Sequence, residues 1–448
     1  LHFFYLGLHE YQLNLILNFK KKKVNLFRFL IFFLFVIFFN DVNAETNSGD
    51  TAWILTSSAL VLFMTLPGLA LFYAGLVQSK NVVSVLCQHF GIACCMSILW
   101  VIIGYSLAFS EGQSGLFGGF TKSFLDIPED SKIGTIPEVL FAMFQMTFCI
   151  ITPALVIGSY VERIRFSVVL IFSSFWLILV YCPVAFWVWG GGFMAEMGVK
   201  DFAGGIVVHT TAGIAALVIA IVLGKRRLFT GNTIAPPHSP VLTMIGASML
   251  WVGWFGFNGG SALAADKTAS MAILVTHIAA SVGAFSWILI EWIRFGKPSL
   301  VGMATGMVAG LATITPASGF VGVQGALILG FTGGVLCYIA VDLIRIKLKI
   351  DDSLDVFAVH GVGGMLGTIL CGWLISAQWG GVGFDDGMSA FDHIKIQTYS
   401  VIVTLIWTII FTYLILKIIS LFIPLRVDEE NEIEGLDKST HGETGYNN

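Results

Sequence analysis

The chain has 448 residues, of which 56% are hydrophobic and only 12% are charged, and its mean hydropathy is +0.86. Soluble domains carry roughly 25% charged residues, so this composition excludes a soluble globular protein and indicates a polytopic membrane protein embedded in a lipid bilayer. The net charge of −4 points to no nucleic-acid partner.

The first 44 residues are predicted to be an upstream segment followed by a signal peptide. A basic cluster beginning at Lys20, an apolar run and the sequence VNA before Glu45 have the order of a secretory signal, with cleavage after Ala44. An additional transmembrane helix is the alternative. Because no Met precedes Met64, residues 1–19 are interpreted as upstream translated sequence or the product of a non-Met start. A cleaved signal would leave the mature N-terminus outside.

About eleven apolar runs are long enough to cross a bilayer, which takes roughly 20 residues. They lie near 52–77, 84–109, 138–160, 166–188, 203–224, 241–258, 271–293, 300–315, 320–344, 356–376 and 397–423. The fold class is therefore predicted to be an all-α polytopic membrane protein, with its transmembrane domain over 50–424. Residues 425–448 form an acidic, polar tail that could be disordered alone.

The distribution of Lys and Arg predicts the orientation. With the N-terminus outside, the inner loops carry eleven of these residues and the outer loops carry five. Positive residues favour the cytoplasmic side, so the C-terminal tail is expected in the cytoplasm. An odd number of spans gives the same result, and the expected location is the inner (plasma) membrane.

Two segments resemble each other in spans five and ten: DFAGGIVVHTTAG at 201–213 and DVFAVHGVGG at 355–364. Each begins with Asp and then places a His among small apolar residues. Spans one to five and six to ten would then be two inverted five-helix repeats plus a final helix, with the working site at the repeat interface. The residues His209 and His360 are predicted to hydrogen-bond a small neutral molecule or to pass protons. The alternative is that each only locks helix packing.

The spacing of these residues raises a difficulty. His209 lies eight residues after Asp201, about 12 Å along a helix, and His360 lies five after Asp355, about 7.5 Å. Measured from opposite faces of a ~30 Å core, the histidines would miss each other in depth by roughly 10 Å. If they pair, one Asp must be recessed, and Asp355 in a cytoplasmic vestibule is the favoured one. Both carboxylates are expected to cap their helices or to bind a cation.

Aromatic residues gather at the expected outer ends of spans three, four and six. They are Phe144, Phe148, Trp189, Trp254 and Phe257, with one hydroxyl from Ser261. Such a cluster can hold a small cation by cation–π attraction. An ordinary interfacial aromatic belt is the alternative.

Seven blocks in this order resemble the ammonium transporter family (Amt/Mep/Rh), especially its bacterial AmtB-like branch. They are MTLPGLALFYAGLV, FQMTFCIITPALVIGSYVERI, VWGGG, DFAGGIVVHTTAG, GWFGFNGGSAL, EWIRFGKPSLVGMATGMVAGLATITPASGFV and DVFAVHGVGG. The resemblance covers roughly residues 50–448. It implies a homotrimer with one narrow apolar pore in each subunit, no cofactor, and transport of ammonium or ammonia and possibly methylammonium. In the family a PII-type nitrogen regulatory protein binds the cytoplasmic face.

The resemblance also implies a role for each candidate residue. It makes His209 and His360 the pore histidines, Phe148 and Phe257 the gate, and Asp201 the support of the outer site. The implied substrate-binding residues are Phe144, Phe148, Trp189 and Ser261, and the further supporting residues are Trp254, Thr315 and Asp355.

Two other functions compete with transport. The acidic tail and basic inner loops could mainly recruit a signalling protein, which would make the chain an ammonium sensor with little flux. A membrane enzyme with His and Asp metal ligands is a weak third hypothesis, since two His without a third ligand do not form a closed site. No enzyme activity and no metal site are therefore expected.

Overall fold

The computed structural model describes residues 45–112, 115–227, 229 and 236–446. The predicted signal peptide and upstream segment, residues 1–44, lie outside this part of the chain. Within it the architecture is helical, apart from a two-residue antiparallel pair, Lys132–Ile133 with Ile136–Pro137.

The described residues contain 11 helices that are long and apolar enough to cross a membrane, as the sequence predicts. In chain order, spans 1 to 11 are Ser48–Leu76, Ser79–Phe109, Glu138–Tyr160, Phe166–Glu196, Gly205–Leu223, Pro240–Gly259, Lys267–Phe295, Leu300–Ala317, Val323–Lys347, Phe357–Leu374 and Ala390–Ser420. Span 11 begins seven residues earlier than the apolar run, because Ser389 and Asp392 form a capping box that starts the helix at Ala390. Helices suit this composition because all backbone hydrogen bonds are then made within each span.

Spans 5 and 10 cross in antiparallel directions at unusually close range. A methyl group on Gly213 would lie 2.2 Å from the Cα of Gly361, and one on Gly364 would lie 2.6 Å from the Cβ of His209. One on Gly205 would lie 2.7 Å from Oγ1 of Thr368. The contacts pair rising numbers in span 5 with falling numbers in span 10, which is the orientation that inverted repeats require. Glycine at these positions lets the two backbones touch.

Both histidines lie in short π-helical turns, Gly205–Thr210 and Phe357–Gly361. A third π-turn, Phe255–Gly259, carries the ring of Phe257. Such turns insert one extra residue into a helix and occur frequently at functional sites. The wider turn shifts the direction of the following side chains relative to a regular helix.

The polar tail packs against the bundle. It forms a short helix, Glu429–Glu434, and a final turn, Asp437–His441. Asp437 Oδ1 accepts a hydrogen bond from the Ser84 N–H at 2.8 Å, and the Leu436 N–H donates to Asn81 Oδ1 at 2.8 Å. The tail therefore caps the first turn of span 2. We call this end of the bundle the tail end, and the end that carries Trp189 and Ser261 the mouth end.

Candidate functional site

Four aromatic rings meet at the mouth end, as the sequence predicts. The ring centroids of Phe148 and Phe257 are 4.4 Å apart, and Phe144 meets Phe148 edge-on at 5.0 Å. Trp189 also meets Phe148 edge-on, at 5.9 Å. Phe144, Phe148 and Phe257 are buried, whereas Trp189 is half-buried. The Phe148 and Phe257 rings are in contact, so they close the passage from the mouth toward the middle of the bundle.

The polar atoms of this cluster are arranged as acceptors toward the mouth. The indole N–H of Trp189 donates to the Asp201 carbonyl at 2.8 Å, which leaves only the face of the ring for a cation. The Ser261 hydroxyl donates to the Phe257 carbonyl at 2.8 Å, so the lone pairs of its oxygen stay available. Gly260 makes room for the cluster, because a methyl group there would lie 2.9 Å from the Phe144 ring.

Asp201 caps span 5 with all of its hydrogen-bonding capacity. Oδ1 accepts from the N–H groups of Gly204 and Gly205, and Oδ2 accepts from those of Ile206 and Val207, at 2.6–3.1 Å. Gly204 has φ +115, a left-handed conformation that turns the chain into the helix and favours glycine. Burial raises the pKa of the Asp201 carboxyl group, and the four N–H donors oppose that rise. Because a carboxylate offers about four lone-pair sites, this one has none left for a proton.

His209 and His360 meet side by side, as the sequence predicts for a working pair. Their Nδ1 atoms are 3.2 Å apart, and their rings stack with centroids 5.2 Å apart and planes 23° apart. One Nδ1 must carry the shared proton and the other must accept it, so the two rings have different tautomers. His209 Nε2 is buried without a partner within the described residues. The pair therefore presents one donor and one acceptor nitrogen beyond its own hydrogen bond.

The histidines line a narrow cavity of about 10 Å³, close to the smallest volume that holds one water molecule. The other lining side chains are apolar or aromatic: Met64, Leu69, Phe72, Ile151, Leu155, Val208, Leu250, Trp254, Phe257 and Val308. Phe257 stacks on His209 at 6.1 Å, so the cavity begins directly below the paired Phe rings. A small neutral molecule with hydrogen-bonding groups suits this space better than an ion does.

Trp254 and Thr315 support the pair from span 6 and span 8. The Trp254 ring stacks on His209 at 5.6 Å, and its N–H donates to Thr315 Oγ1 at 2.9 Å. Thr315 in turn donates to the Leu311 carbonyl at 2.7 Å. The structure therefore brings these two residues to the histidines rather than to the mouth.

Asp355 anchors its segment through an ion pair, whereas Asp201 caps its helix. Its carboxylate forms an ion pair with Arg345 at 2.8 Å, and its φ is +59. The carboxylate that caps span 10 belongs to Asp352, whose Oδ2 accepts from the Phe357 N–H at 2.7 Å. Asp352 lies eight residues before His360, the same spacing as Asp201 and His209. The matching eight-residue intervals place the two capping carboxylates at similar distances along the chain from the paired histidines.

Asp352 is less completely hydrogen-bonded than Asp201. Its Oδ1 is buried without a hydrogen-bond partner among the described residues. Burial, followed by the negative charge of Asp355, raises the pKa of the Asp352 carboxyl group to about 7, although the Val356 and Phe357 N–H groups and Arg345 act in the opposite direction. The structure therefore gives this carboxyl group a free oxygen for a proton.

Gln397 on span 11 is a site residue that the sequence interpretation missed. Its side chain is buried, accepts from the Lys200 N–H at 2.8 Å and donates to the carbonyls of Lys200 and Thr368 at 2.6 and 3.0 Å. It therefore fixes the peptide before Asp201 against span 10. A lone Gln in an apolar run was the only available signal. The apolar cavity-lining side chains carried no signal that separates them from core residues.

The described residues contain no group of three or more His, Cys, Asp or Glu side chains placed to hold a metal ion. The two histidines bind each other through Nδ1, and their surroundings are apolar. The remaining nitrogens of the pair can donate and accept hydrogen bonds.

The fold and site define a class: a helical membrane protein with eleven spans in the described part of the chain and two paired histidines in an apolar cavity below a cluster of aromatic rings. The family profile described as "Ammonium Transporter Family" matches residues 52–446, and the chain belongs to this family. It is 45% identical over 404 residues to the ammonium transporter of Bacillus subtilis (strain 168), covering 89% of this chain and 98% of that one.

Two solved structures support the same assignment. One is described as a sensor Amt protein, with a TM-score of 0.82, 28% identity and coverage of 88% of this chain and 98% of that chain. The other is Mep2 of Saccharomyces cerevisiae, with a TM-score of 0.79, 34% identity and coverage of 87% and 91%. The resemblance inferred from the sequence is thereby confirmed.

Proposed function

We propose that the protein transports ammonium by binding it at the mouth, removing one proton and conducting ammonia past His209 and His360. The observation that carries this proposal is the histidine pair, held 3.2 Å apart in an apolar cavity directly below two contacting Phe rings. Family membership and relatives described as ammonium transporters support the substrate.

The mouth suits recruitment of a small cation. The face of Trp189 and the rings of Phe144 and Phe148 supply cation–π attraction, and the oxygen of Ser261 accepts an N–H from ammonium. The carboxylate of Asp201 lies buried behind Trp189, whose N–H donates to the Asp201 carbonyl. Its negative charge favours a cation at the mouth, while its four N–H partners prevent it from taking the proton itself.

The gate and cavity favour ammonia over ammonium. The Phe148 and Phe257 rings must move apart for any molecule to pass. Beyond them a cation would lose its hydration among apolar side chains, which costs several kcal/mol or more even after relaxation. Loss of one proton near the gate removes most of that penalty, and the donor and acceptor nitrogens of the histidines then satisfy ammonia.

The histidine pair also supports movement of the proton. A proton enters at the acceptor Nε2 of one ring, the shared proton passes from the Nδ1 of that ring to the Nδ1 of the other, and the second ring releases its Nε2 proton. Together these three transfers exchange the two tautomers and move one proton across the pair. Repeated transfers carry a proton separately from ammonia, and transport is then electrogenic. We favour this version over a neutral gas pore.

The proposal also covers the membrane location, the orientation, the oligomeric state and the partners of the protein. The Lys and Arg distribution supports a multi-pass protein of the inner (plasma) membrane, with a cleaved signal peptide, the mouth outside and the tail in the cytoplasm. Family membership supports a homotrimer, a role in nitrogen utilisation, methylammonium as a second substrate and a PII-type regulatory protein at the tail end.

Selectivity tests the pore assignment. His209→Asp replaces a neutral hydrogen-bonding ring with a group that carries charge, so we expect it to admit alkali cations. The measurement is the ratio of ammonium to potassium flux in proteoliposomes, with Gln378→Leu, an exposed position, as the control. An unchanged ratio in His209→Asp would contradict the pore assignment.

A sensor with little transport is the second candidate. It is favoured by the similarity to the structure described as a sensor Amt protein and by a tail that docks on span 2. A measurement of ammonium flux distinguishes a sensor from a transporter. A sensor would bind ammonium and alter tail exposure without changing the internal pH of proteoliposomes, whereas a transporter changes that pH on addition of ammonium.

A further inference from the structure

We propose that Asp352 is a proton-carrying group at the tail end of the pore, which takes the proton delivered along the histidine pair and returns it to ammonia on the cytoplasmic side. This inference rests on the proposed transport function and extends it beyond the histidines. Its basis is a buried carboxyl oxygen that has no hydrogen-bond partner among the described residues, in a segment that packs close to the Tyr73 hydroxyl beside the cavity.

The position of Asp352 follows from the crossing of spans 5 and 10. Asp201 and Asp352 each lie eight residues before a histidine of the pair, at the start of their spans. Because those spans are antiparallel, the two carboxylates lie on opposite sides of the histidines. One is near the mouth, and the other is near the tail end, in the non-helical segment that precedes span 10.

Tyr73 connects the cavity to the Asp352 segment. Its hydroxyl donates to the carbonyl of Leu155, a cavity-lining residue, at 2.9 Å. A methyl group on Gly158 would lie 3.0 Å from that hydroxyl and 2.6 Å from the side chain of Val356. The Leu354 N–H donates to the Gly158 carbonyl at 2.9 Å, so the segment after Asp352 packs on the last turn of span 3.

Two buried polar atoms in this region have unused hydrogen-bonding capacity. They are Asp352 Oδ1 and the hydroxyl of Tyr160, and both residues are at most 2% exposed. Asp352 and Tyr160 are both close enough to Tyr73 to interact with it electrostatically. Buried polar atoms of this kind are normally satisfied by ordered water or by a proton. The region therefore suits proton exchange between the cavity and the tail end.

The charged groups around Asp352 tune its protonation in opposite directions. Asp355, on the same segment, disfavours the carboxylate, while Arg345 from span 9 favours it. Arg163, from the loop after span 3, also interacts with Asp352. The resulting pKa of about 7 lets the carboxyl group both accept and release a proton near neutral pH.

The proposed steps balance in atoms and charge. Ammonium gives one proton to the acceptor Nε2 of the histidine pair, so an N–H bond of ammonium breaks as an N–H bond forms on the ring, and ammonia and the proton then cross separately. The proton binds the Asp352 carboxylate and forms an O–H bond. Ammonia at the tail end then takes that proton: an N–H bond forms as the O–H bond breaks, and the Asp352 carboxylate and ammonium are regenerated.

Infrared difference spectra of the full chain in proteoliposomes test protonation directly. We expect a carbonyl stretching band of a buried, protonated carboxylic acid that disappears as the pH rises through neutrality. The band should be absent from Asp352→Asn and present, though displaced, in Asp352→Glu. Absence of the band from the wild type, or its persistence in Asp352→Asn, would overturn the proposal.

Two neighbouring variants keep the proposal testable even if Asp352→Asn does not fold. Asp355→Asn removes a negative charge, so the midpoint of the band should move to lower pH. Arg345→Gln removes a positive charge, so the midpoint should move to higher pH. Identical midpoints in both variants and the wild type would overturn the proposal.

Transport measurements separate this inference from the proposed function. We expect Asp352→Asn to lower ammonium-evoked current by roughly 100-fold, the lower end of what positioned acid–base groups contribute. Asp352→Glu should restore part of it. A wild type without current or flux would contradict the proposed function, whereas a wild-type current that Asp352→Asn leaves unchanged would contradict only the role of Asp352.

Discussion

Two carboxylates, Asp201 and Asp352, cap the two histidine-bearing spans from the same distance in sequence, yet their surroundings differ. Asp201 accepts four backbone N–H groups, two on each oxygen. Asp352 accepts the Phe357 N–H on one oxygen and leaves the other without a partner. Repeated sequence elements have therefore produced one carboxylate whose lone pairs are all occupied and one that can take a proton.

The difference teaches how a symmetric fold supports a directional process. At the mouth, a fixed negative charge favours a cation without competing for its proton. At the tail end, a carboxyl group near its titration point can accept and release protons. Glycines make the close crossing of spans 5 and 10 on both sides of the histidines, Gly205 against Thr368 and Gly213 against Gly361. The two Asp residues themselves differ in the N–H donors and charges around each one.

Removal of the Asp201 charge is expected to have the largest effect. Asp201→Asn offers one acceptor oxygen to four N–H groups, and each buried donor left unpaired costs about 1–3 kcal/mol. We expect loss of ammonium transport and a large fall in the thermal unfolding temperature in detergent. Asp385→Asn is the control, because it removes a half-exposed carboxylate that pairs with Lys200 and is worth about 1 kcal/mol or less. Similar unfolding temperatures for the two variants would contradict the role given to Asp201.

A substitution that pushes spans 5 and 10 apart should disturb the surroundings of both Asp201 and Asp352. Gly364→Ala would place a methyl group 2.6 Å from the Cβ of His209, whereas the nearest atom to the same group at Gly363 is 3.1 Å away, on a Thr313 hydroxyl. We expect Gly364→Ala to destabilise the protein by roughly 1–3 kcal/mol through overpacking and to impair transport. Gly363→Ala is the matched control one residue away. Equal transport and stability in the two variants would show that the close crossing is dispensable.

Loss of the Gln397 amide should disturb only the surroundings of Asp201, on the mouth side of the histidines. Gln397→Leu leaves the Lys200 N–H and the carbonyls of Lys200 and Thr368 without their partner, a penalty of roughly 2–4 kcal/mol in total. Because the peptide before Asp201 is then less fixed, we expect a higher KM for ammonium with a smaller change in maximal rate. Gln378→Leu makes the same change at an exposed position. A rise in KM of equal size in both variants would exclude a specific positioning role.

The pH dependence of stability tests the tail-end carboxyl group, Asp352, and should show the smallest of these effects. A carboxyl group whose pKa is raised by folding stabilises the folded protein at low pH, and this contribution is lost as the pH rises through the folded-state pKa. For Asp352, with a pKa of about 7 in the folded protein, the unfolding temperature should fall from about pH 4, the ordinary pKa of Asp, to about pH 7. The unfolding temperature of the Asp352→Asn variant should fall less over the same pH range. Parallel curves for the two proteins would contradict the raised pKa.

The sequence was sufficient for the spans and for the histidine pair. Long apolar runs determine helices in lipid, and a His in such a run is unusual enough to be recognised without any structure. The mouth residues Phe148, Trp189 and Ser261 could be named from the family resemblance, but their contacts could not.

Asp352 was not recognised from the sequence as the cap of span 10. Its segment holds three Asp residues, and the positive φ of Asp355 turns its carboxylate toward Arg345, which leaves Asp352 to reach the Phe357 N–H. A comparison of spacing would have favoured Asp352, since it repeats the eight-residue interval of Asp201 and His209. Gln397 and the docked tail were missed because their partners lie far away in sequence.

The central claim is that ammonium passes the histidine pair with its proton relayed separately. Ammonium-evoked current in proteoliposomes tests it most directly, with the wild type beside His209→Ala/His360→Ala. We expect a current in the wild type that disappears in the double variant. A current that survives in the double variant, or ammonia flux without any current in the wild type, would contradict the proton role of the histidines.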